Sequence, residues 1–101
     1  MNLSSTVRDG ISTIRLQGRF DFDVHRAFRE AFKAALAAND VREVEIDLSG
    51  VTYMDSSALG MLLLSRENAS ALGKAVALAR PTDAVRSILD VANFQKLFAI
   101  R

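Results

Sequence analysis

Apolar and polar positions along the chain change their period several times, and this change predicts strands that alternate with helices. Five segments are predicted to be strands: residues 3–8, 11–17, 43–48, 75–79 and 97–100. The first two flank Asp9-Gly10, a dipeptide that is strongly favoured in the tight turns of hairpins. The chain is therefore expected to open with an antiparallel hairpin.

Two segments outside the centre of the chain carry the apolar spacing of helices. The first predicted helix covers about residues 23–38, and Asp21 or Asp23 would cap its start. Its apolar stripe consists of Ala27, Phe28, Ala31, Phe32, Ala35 and Leu36. The last predicted helix begins with Thr82 as its cap. Its apolar face consists of Val85, Ile88, Leu89 and Val91.

The element order β-β-α-β-α-β-α-β predicts an α/β fold with three helices and a mixed, mostly parallel sheet. No linker, repeat or low-complexity segment divides the chain, so residues 1–101 are expected to form one domain. In open sheets of this kind, functional groups gather beyond the carboxyl ends of the strands. Asp21 follows the second strand, and Asp55 and Ser56 follow the third. We expect these three residues to lie together at one edge of the sheet.

The most informative segment lies between the third strand and the central helix. Residues 49–55 are predicted to form a loop, and the helix is predicted from about Ser57 to Leu72, with Gly73 ending it. Ser56 lies where this helix begins, so its default role is that of a capping residue. The same position would accommodate a phosphate, because free N–H groups and the positive end of the helix dipole converge there.

Composition narrows the classes of function that the chain can have. The 13 basic and 12 acidic residues give a formal net charge of +1, which provides no reason to expect nucleic-acid binding. Cysteine is absent, which excludes disulfides, thiolate catalysis and cysteine-ligated metals. A single histidine, His25, is too few for a histidine-rich metal site. We therefore expect no metal, no cofactor and no nucleic acid.

No targeting signal or catalytic motif is found in the sequence. Residues 1–6 lack the basic and apolar regions of a signal peptide. The longest apolar run, Ala58–Leu64, is far shorter than the roughly 18–20 residues that a membrane span needs. The chain is therefore expected in the cytoplasm. A serine hydrolase would need His25 beside Ser56 and a Gly-x-Ser-x-Gly turn, which is absent, so no catalytic residue is predicted.

The segment 55–60, Asp-Ser-Ser-Ala-Leu-Gly, resembles the signature of bacterial STAS-domain anti-sigma factor antagonists, whose typical form is Asp-Ser-Ser-Gly-Leu-Gly. Residues 18–21 match the Gly-x-x-Asp segment of that family, with its spacing to the serine kept. Residues 40–42, Asp-Val-Arg, match the family's entry to the third strand. The resemblance extends over nearly the whole chain, and the combination of motifs is specific.

The resemblance implies a partner-switching role. In that family the unphosphorylated antagonist binds an anti-sigma factor and so frees the sigma factor. A serine kinase, often the anti-sigma factor itself, would phosphorylate Ser56, and a phosphatase would reverse this. Asp21, Asp55 and Ser57 would surround the phosphorylation site. The partner would contact Ser56 and Ser57 together with Leu59 and Gly60. The protein would be a ligand and a substrate, not an enzyme, and would be monomeric when free.

The sequence departs from the family pattern at two points, and it is also compatible with a second function. Ala58 replaces the usual glycine, and its methyl group is expected to alter the fit of a kinase. The chain stops at Arg101, so it would lack the last C-terminal helix of longer family members. The alternative function is a non-phosphorylated STAS-domain interaction subunit of a transport or signalling complex. For Asp21 and Asp55 a plainer role, that of turn and capping residues only, is also left open by the sequence.

Overall fold

The structure is a computed structural model and describes residues 2–101. It contains five strands: β1 Asn2–Arg8, β2 Ile11–Phe20, β3 Glu43–Met54, β4 Ala75–Ala79 and β5 Ala99–Ile100. Three α-helices connect the last four strands: α1 His25–Ala37, α2 Ser56–Ala71 and α3 Asp83–Val91. Short 3-10 turns at Phe22–Val24 and Phe94–Lys96 precede α1 and β5. The predicted order of strands and helices is confirmed, and the last described residue, Arg101, directly follows β5.

The five strands lie in one sheet in their chain order, β1-β2-β3-β4-β5. The first two strands pair antiparallel, and all other neighbours pair parallel, which confirms the mixed and mostly parallel sheet. Crossovers between parallel strands are right-handed in nearly all proteins. Because the strand order never reverses, the three helices cover the same face of the sheet and leave the other face open.

The opening hairpin is built as the sequence predicts. Asp9 and Gly10 have φ angles of 54° and 80°, and two consecutive left-handed residues match the twist of a two-residue hairpin turn. The Arg42 guanidinium donates to the Asp9 carbonyl oxygen at 2.6 Å, and the Arg42 N–H donates to the Gly10 carbonyl oxygen at 2.8 Å. These bonds attach the hairpin to the start of β3.

The third strand is much longer than predicted, so the predicted loop over residues 49–55 is wrong. Its 12 residues run beside the 10 residues of β2, from the pair Ile11–Glu43 to the pair Phe20–Met54. The two extra residues of β3 form two β-bulges. The first lies opposite the step from Arg15 to Gln17 of β2, and the second lies opposite the step from Gly18 to Arg19. Bulges interrupt the alternation of inward and outward side chains, which hides the second half of the strand from a periodicity analysis.

The buried apolar side chains form one core cluster between the sheet and the helices. Helix α1 contributes Phe28, Phe32, Ala35 and Leu36, and α3 contributes Val85 and Leu89. Two residues of the predicted stripes do not take part: Ala27 is exposed and Val91 is 86% exposed. Each helical residue rotates by about 100°, so Ala27 points away from Phe28, and Val91 falls outside the face set by Val85 and Leu89.

The open face of β3 carries a row of charged residues that we call the β3 ion-pair ladder. Its six members are Glu43, Glu45, Asp47, Arg15, Arg80 and Arg101. Arg101 pairs with Glu43 at 2.8 Å and with Glu45 at 3.0 Å. Arg80 pairs with Glu45 at 2.9 Å and with Asp47 at 3.3 Å. The ladder thus neutralises three neighbouring carboxylates on one strand.

Asp47 is the member of this ladder that is most deeply buried, with a side chain only 3% exposed. Its carboxylate accepts from the Ser49 N–H at 2.9 Å and from Arg15 Nε at 3.2 Å. Desolvation raises the pKa of Asp47, but the hydrogen bonds from Ser49, Arg15 and Arg80 together outweigh it and lower the pKa to about 2. The folded state therefore favours the ionised form of this carboxyl group.

Candidate functional site

The start of α2 is organised by Asp55 and not by Ser56. Asp55 has an extended backbone, with φ −99° and ψ −179°, and its Oδ1 accepts from the Ala58 N–H at 2.9 Å. The Ser57 hydroxyl donates to the same Oδ1 at 2.6 Å. The prediction that Ser56 caps the helix is therefore wrong, because the carboxylate one residue earlier already occupies the capping position.

The carboxylate of Asp55 is held ionised by these bonds. The Ser57 hydroxyl, and then the Ala58 N–H, lower the pKa of Asp55, and the Phe22 N–H adds to the effect. A negative charge at this position also interacts favourably with the N-terminal end of the helix dipole. Asp55 therefore fixes the first turn of α2 and contributes a permanent negative charge beside Ser56.

Ser56 is the first residue of α2, and its side chain is exposed. The capping bonds are made by its neighbours, so its hydroxyl is free to react. In this first turn the Ala58 and Leu59 N–H groups donate to Asp55. Within residues 2–101 the Ser56 N–H has no acceptor, and such free N–H groups at a helix start favour anions. A phosphoryl group on Ser56 would find a donor on the same residue.

The ends of β2 and β3 bring the two loops of the predicted site together. Phe20 is the register partner of Met54, and the Asp55 N–H donates to the Phe20 carbonyl oxygen at 3.3 Å. Asp21 and Asp55 are thus the first residues after the ends of two adjacent strands. The Asp21 carboxylate accepts from the Asp23 N–H at 3.1 Å and caps the 3-10 turn that precedes α1. The structure places Asp21, Asp55 and Ser56 at one edge of the sheet.

The remaining predicted site residues lie on different sides of α2. Gly60 is exposed, and a Cβ added there would meet no atom within 4 Å. Leu59 is half-buried and packs against the core, so only part of it is available to a partner. Ala58 is fully buried. Its methyl group packs into the core, so it does not reach the surface that a kinase would contact directly.

Three exposed residues at the ends of β2 and β3 are not identified by the sequence analysis. Phe22 is 54% exposed and Tyr53 is 41% exposed. The Arg19 guanidinium lies 4.3 Å from the centroid of the Tyr53 ring and 3.6 Å from the Asp21 carboxylate. Exposed aromatic residues and arginine are typical of the centres of protein interfaces. The sequence predicts a loop at Tyr53 and not the end of a strand, which hides this signal.

The histidine of the chain does not contact Ser56. Its ring stacks on Phe22 with a centroid distance of 4.6 Å, and its Nδ1 lies 2.7 Å from the Phe22 carbonyl oxygen. Residues 2–101 contain no group of three histidine, aspartate or glutamate side chains placed to hold a metal ion. No helix in that part of the chain has the length and apolar character that crossing a membrane requires.

Two sequence comparisons identify the family of this chain. The family profile described as "Mlab, STAS domain" matches residues 5–99. A STAS-domain containing protein of Pseudomonas aeruginosa (strain UCBPP-PA14) is 47% identical over 88 residues, which cover 87% of this chain and 85% of that protein. Both matches include the β2 and β3 ends and the start of α2, since they span nearly the whole chain.

Two solved structures show the same fold. A putative anti-sigma factor antagonist of Thermotoga maritima superposes with a TM-score of 0.87 at 20% identity, covering 97% of this chain and 84% of that one. The Bacillus anti-sigma factor antagonist SpoIIAA, in its unphosphorylated form, gives a TM-score of 0.82 at 20% identity, covering 99% and 88%. With the family profile and the Pseudomonas relative, the conclusion is that this chain belongs to the STAS-domain family.

Proposed function

We propose that the chain is an anti-sigma factor antagonist that is switched by phosphorylation of Ser56. The unphosphorylated chain binds an anti-sigma factor and releases its sigma factor, and the phosphorylated chain does not. The observation that carries the proposal is an exposed hydroxyl on the first residue of α2, next to a capping aspartate. Because Asp55 makes the capping bonds, Ser56 is free to be modified without disturbing the helix start.

The electrostatics of the site support a switch that acts through charge. A phosphate would add about −1.5 to −2 charges at pH 7, beside the carboxylates of Asp21 and Asp55. The free N–H of Ser56 and the helix dipole would stabilise this charge within the protein. A partner that buries the same surface would have to desolvate it, at a cost of several kcal/mol unless the partner supplies matching donors. The fold is retained while the interface is lost.

We also propose a serine kinase and a phosphatase as partners of this site. The kinase would approach Ser56 along the exposed edge formed by Phe22 and Tyr53. The chain contributes no catalytic group of its own to the transfer, because the kinase supplies the ATP site and the base. It is therefore a protein substrate and a binding protein in one molecule.

Mass spectrometry of the intact protein from its native cells tests the modification. We expect a phosphorylated fraction that disappears in Ser56→Ala and persists in the matched variant Ser57→Ala. The Ser57 hydroxyl is engaged with Asp55 at 2.6 Å, so its removal changes the cap but not the phosphate acceptor. If no phosphorylated fraction appears under any growth condition, the switch is wrong and a constitutive interaction subunit is favoured.

Gly60→Ala separates stability from partner binding. We expect the free domain to gain about 0.5–1 kcal/mol, because alanine is a better helix former and the site has space for its methyl group. We also expect weaker binding of the anti-sigma factor, since the methyl group would stand between α2 and the partner. Urea unfolding measures the first effect and calorimetry the second. An unchanged affinity would remove Gly60 from the partner surface.

A further inference from the structure

An apolar groove runs between α1 and α2, on the helical side of the sheet. Its volume is about 510 Å³, within the range of ligand and peptide sites. Six large apolar side chains line it, together with two alanines: Phe28, Phe32, Leu36, Met61, Leu64 and Leu72. Leu64 is 46% exposed and Leu72 is 59% exposed, so the groove lies open to solvent. Its floor is part of the core, and its edges are apolar side chains that nothing covers.

The charges at this groove all have one sign. Arg29 and Lys33 line it from α1, and no acidic side chain lines it. Within residues 2–101, neither of the two forms an ion pair. They are four residues apart and so lie about 6 Å apart along the helix axis, on one wall of the groove.

We propose that this groove binds an amphipathic helix of the partner protein, with acidic residues along one flank. The apolar stripe of that helix packs between Phe32 and Leu64, and its acidic flank faces Arg29 and Lys33. The inference rests on the proposed function, because it names the partner surface that the Ser56 switch controls.

The shape and the charges favour a helix over a small anionic ligand. The lining of α2 from Met61 to Leu72 extends over about 16 Å, which matches three turns of a partner helix. Two cations repeat along one wall at the spacing of a helical turn, which matches acidic residues at i and i+4. A single-chain amphiphile carries one anionic group at one end and would leave the second cation unpaired.

An acidic partner also explains the direction of the switch. Met61 lies only about 7.5 Å along the axis of α2 from Ser56, so a helix that continues past the groove approaches the phosphorylation site. A phosphate there repels the acidic flank, whereas the neutral hydroxyl does not. The acidic flank thus binds Arg29 and Lys33 along the groove, and its continuation is repelled from Ser56 only when Ser56 carries a phosphate.

Two synthetic helical peptides of about four turns test the proposal, both with leucines on one face. One has glutamates along its flanks and the other has lysines at the same positions. By fluorescence anisotropy, we expect the full chain to bind the glutamate peptide about tenfold more tightly than the lysine peptide. This preference should reverse in Arg29→Glu/Lys33→Glu. It should keep its direction in Arg26→Glu/Arg86→Glu, which changes net charge equally on exposed positions outside the groove.

A second pair of variants tests the apolar edge of the groove and leaves Arg29 and Lys33 unchanged. Leu64→Gln should lose binding of the glutamate peptide, whereas Val91→Gln, at an exposed position on α3, should keep it. The proposal is overturned if neither peptide binds the wild-type chain, if the preference survives Arg29→Glu/Lys33→Glu, or if dodecanoate binds the groove while the peptides do not.

Phosphoserine at position 56 separates this inference from the proposed function. We expect the phosphorylated chain to bind the glutamate peptide severalfold more weakly at low ionic strength. If the phosphate has no effect while charge reversal at Arg29 and Lys33 does, the groove inference stands and the switch is wrong. If the phosphate weakens binding while charge reversal has no effect, the switch stands and the groove inference is overturned.

Discussion

Phosphorylation of Ser56 is expected to weaken binding of the anti-sigma factor by about 100- to 1,000-fold while the domain stays folded. The loss corresponds to about 3–4 kcal/mol, the order of cost for burying a charged group whose partners are missing. The fold is retained because Asp55, and not Ser56, makes the capping bonds of α2. A free N–H also remains on the phosphorylated residue itself.

Calorimetry with chains carrying phosphoserine or serine at position 56 measures this effect. The anti-sigma factor is first recovered with the unphosphorylated chain as bait. Phosphoserine at position 87 is the matched control. Ser87 is exposed on α3, so a phosphate there adds the same charge outside the proposed site. Equal affinities of the two chains modified or unmodified at Ser56 would contradict the proposed switch, and so would a weakening of the same size at Ser87.

Asp47→Asn is expected to lower the free energy of unfolding at pH 7 by about 2 kcal/mol. The pKa of Asp47 falls from 3.8 to about 2 in the folded protein, and that difference is a direct contribution to stability. Asparagine keeps the shape of the side chain but cannot attract Arg15 and Arg80. Those arginines are about half exposed, so solvent screens their share. Much of the effect comes from the Ser49 N–H, which donates more strongly to a carboxylate than to the neutral amide oxygen of asparagine.

The same substitution changes the dependence of stability on pH. Because folding lowers the pKa of Asp47, its contribution is fully present above about pH 4 and disappears as the pH falls towards 2. The wild-type chain should therefore lose more stability between pH 4 and 2 than Asp47→Asn does. Urea unfolding across this range is the measurement, with the exposed Asp40→Asn as control. Parallel profiles for the wild type and Asp47→Asn would contradict the assignment.

Local signals in the sequence were sufficient for the hairpin and for the approximate helix spans. The two-residue hairpin turn requires left-handed backbone at both of its positions, and Asp9-Gly10 is one of the few dipeptides that tolerate this. The cap of α3 was also predicted correctly, since Thr82 accepts from the Val85 N–H at 3.3 Å. Each of these features depends on residues that are close in sequence, so the identities of those residues are enough to predict it.

Features that depend on distant residues were not predictable in the same way. The ion pair between Arg101 and Glu43 joins residues 58 positions apart, and the groove exists only because α1 and α2 pack side by side. The end of β3 was missed for a different reason. Ser49-Gly50 has the composition of a turn, and only pairing with β2 converts it into strand.

The edge where Asp21, Asp55 and Ser56 meet was expected from the strand order alone, but its internal division of roles was not. Aspartate and serine are both common capping residues, and adjacent candidates are separated only by the backbone angles. The structure assigns the cap to Asp55 and leaves Ser56 exposed. That division matters more for the proposed switch than the presence of the serine itself.

The two bulges of β3 also limit which insertions and deletions this strand can tolerate. Their extra residues determine which side chains point inwards between Leu48 and Asp55, so that Val51 and Met54 are buried and Tyr53 is exposed. Deleting one residue there would exchange inward and outward positions for the rest of the strand and draw Asp55 back by about 3.3 Å. This segment of β3 can therefore tolerate substitutions during evolution, but not the insertion or deletion of a residue.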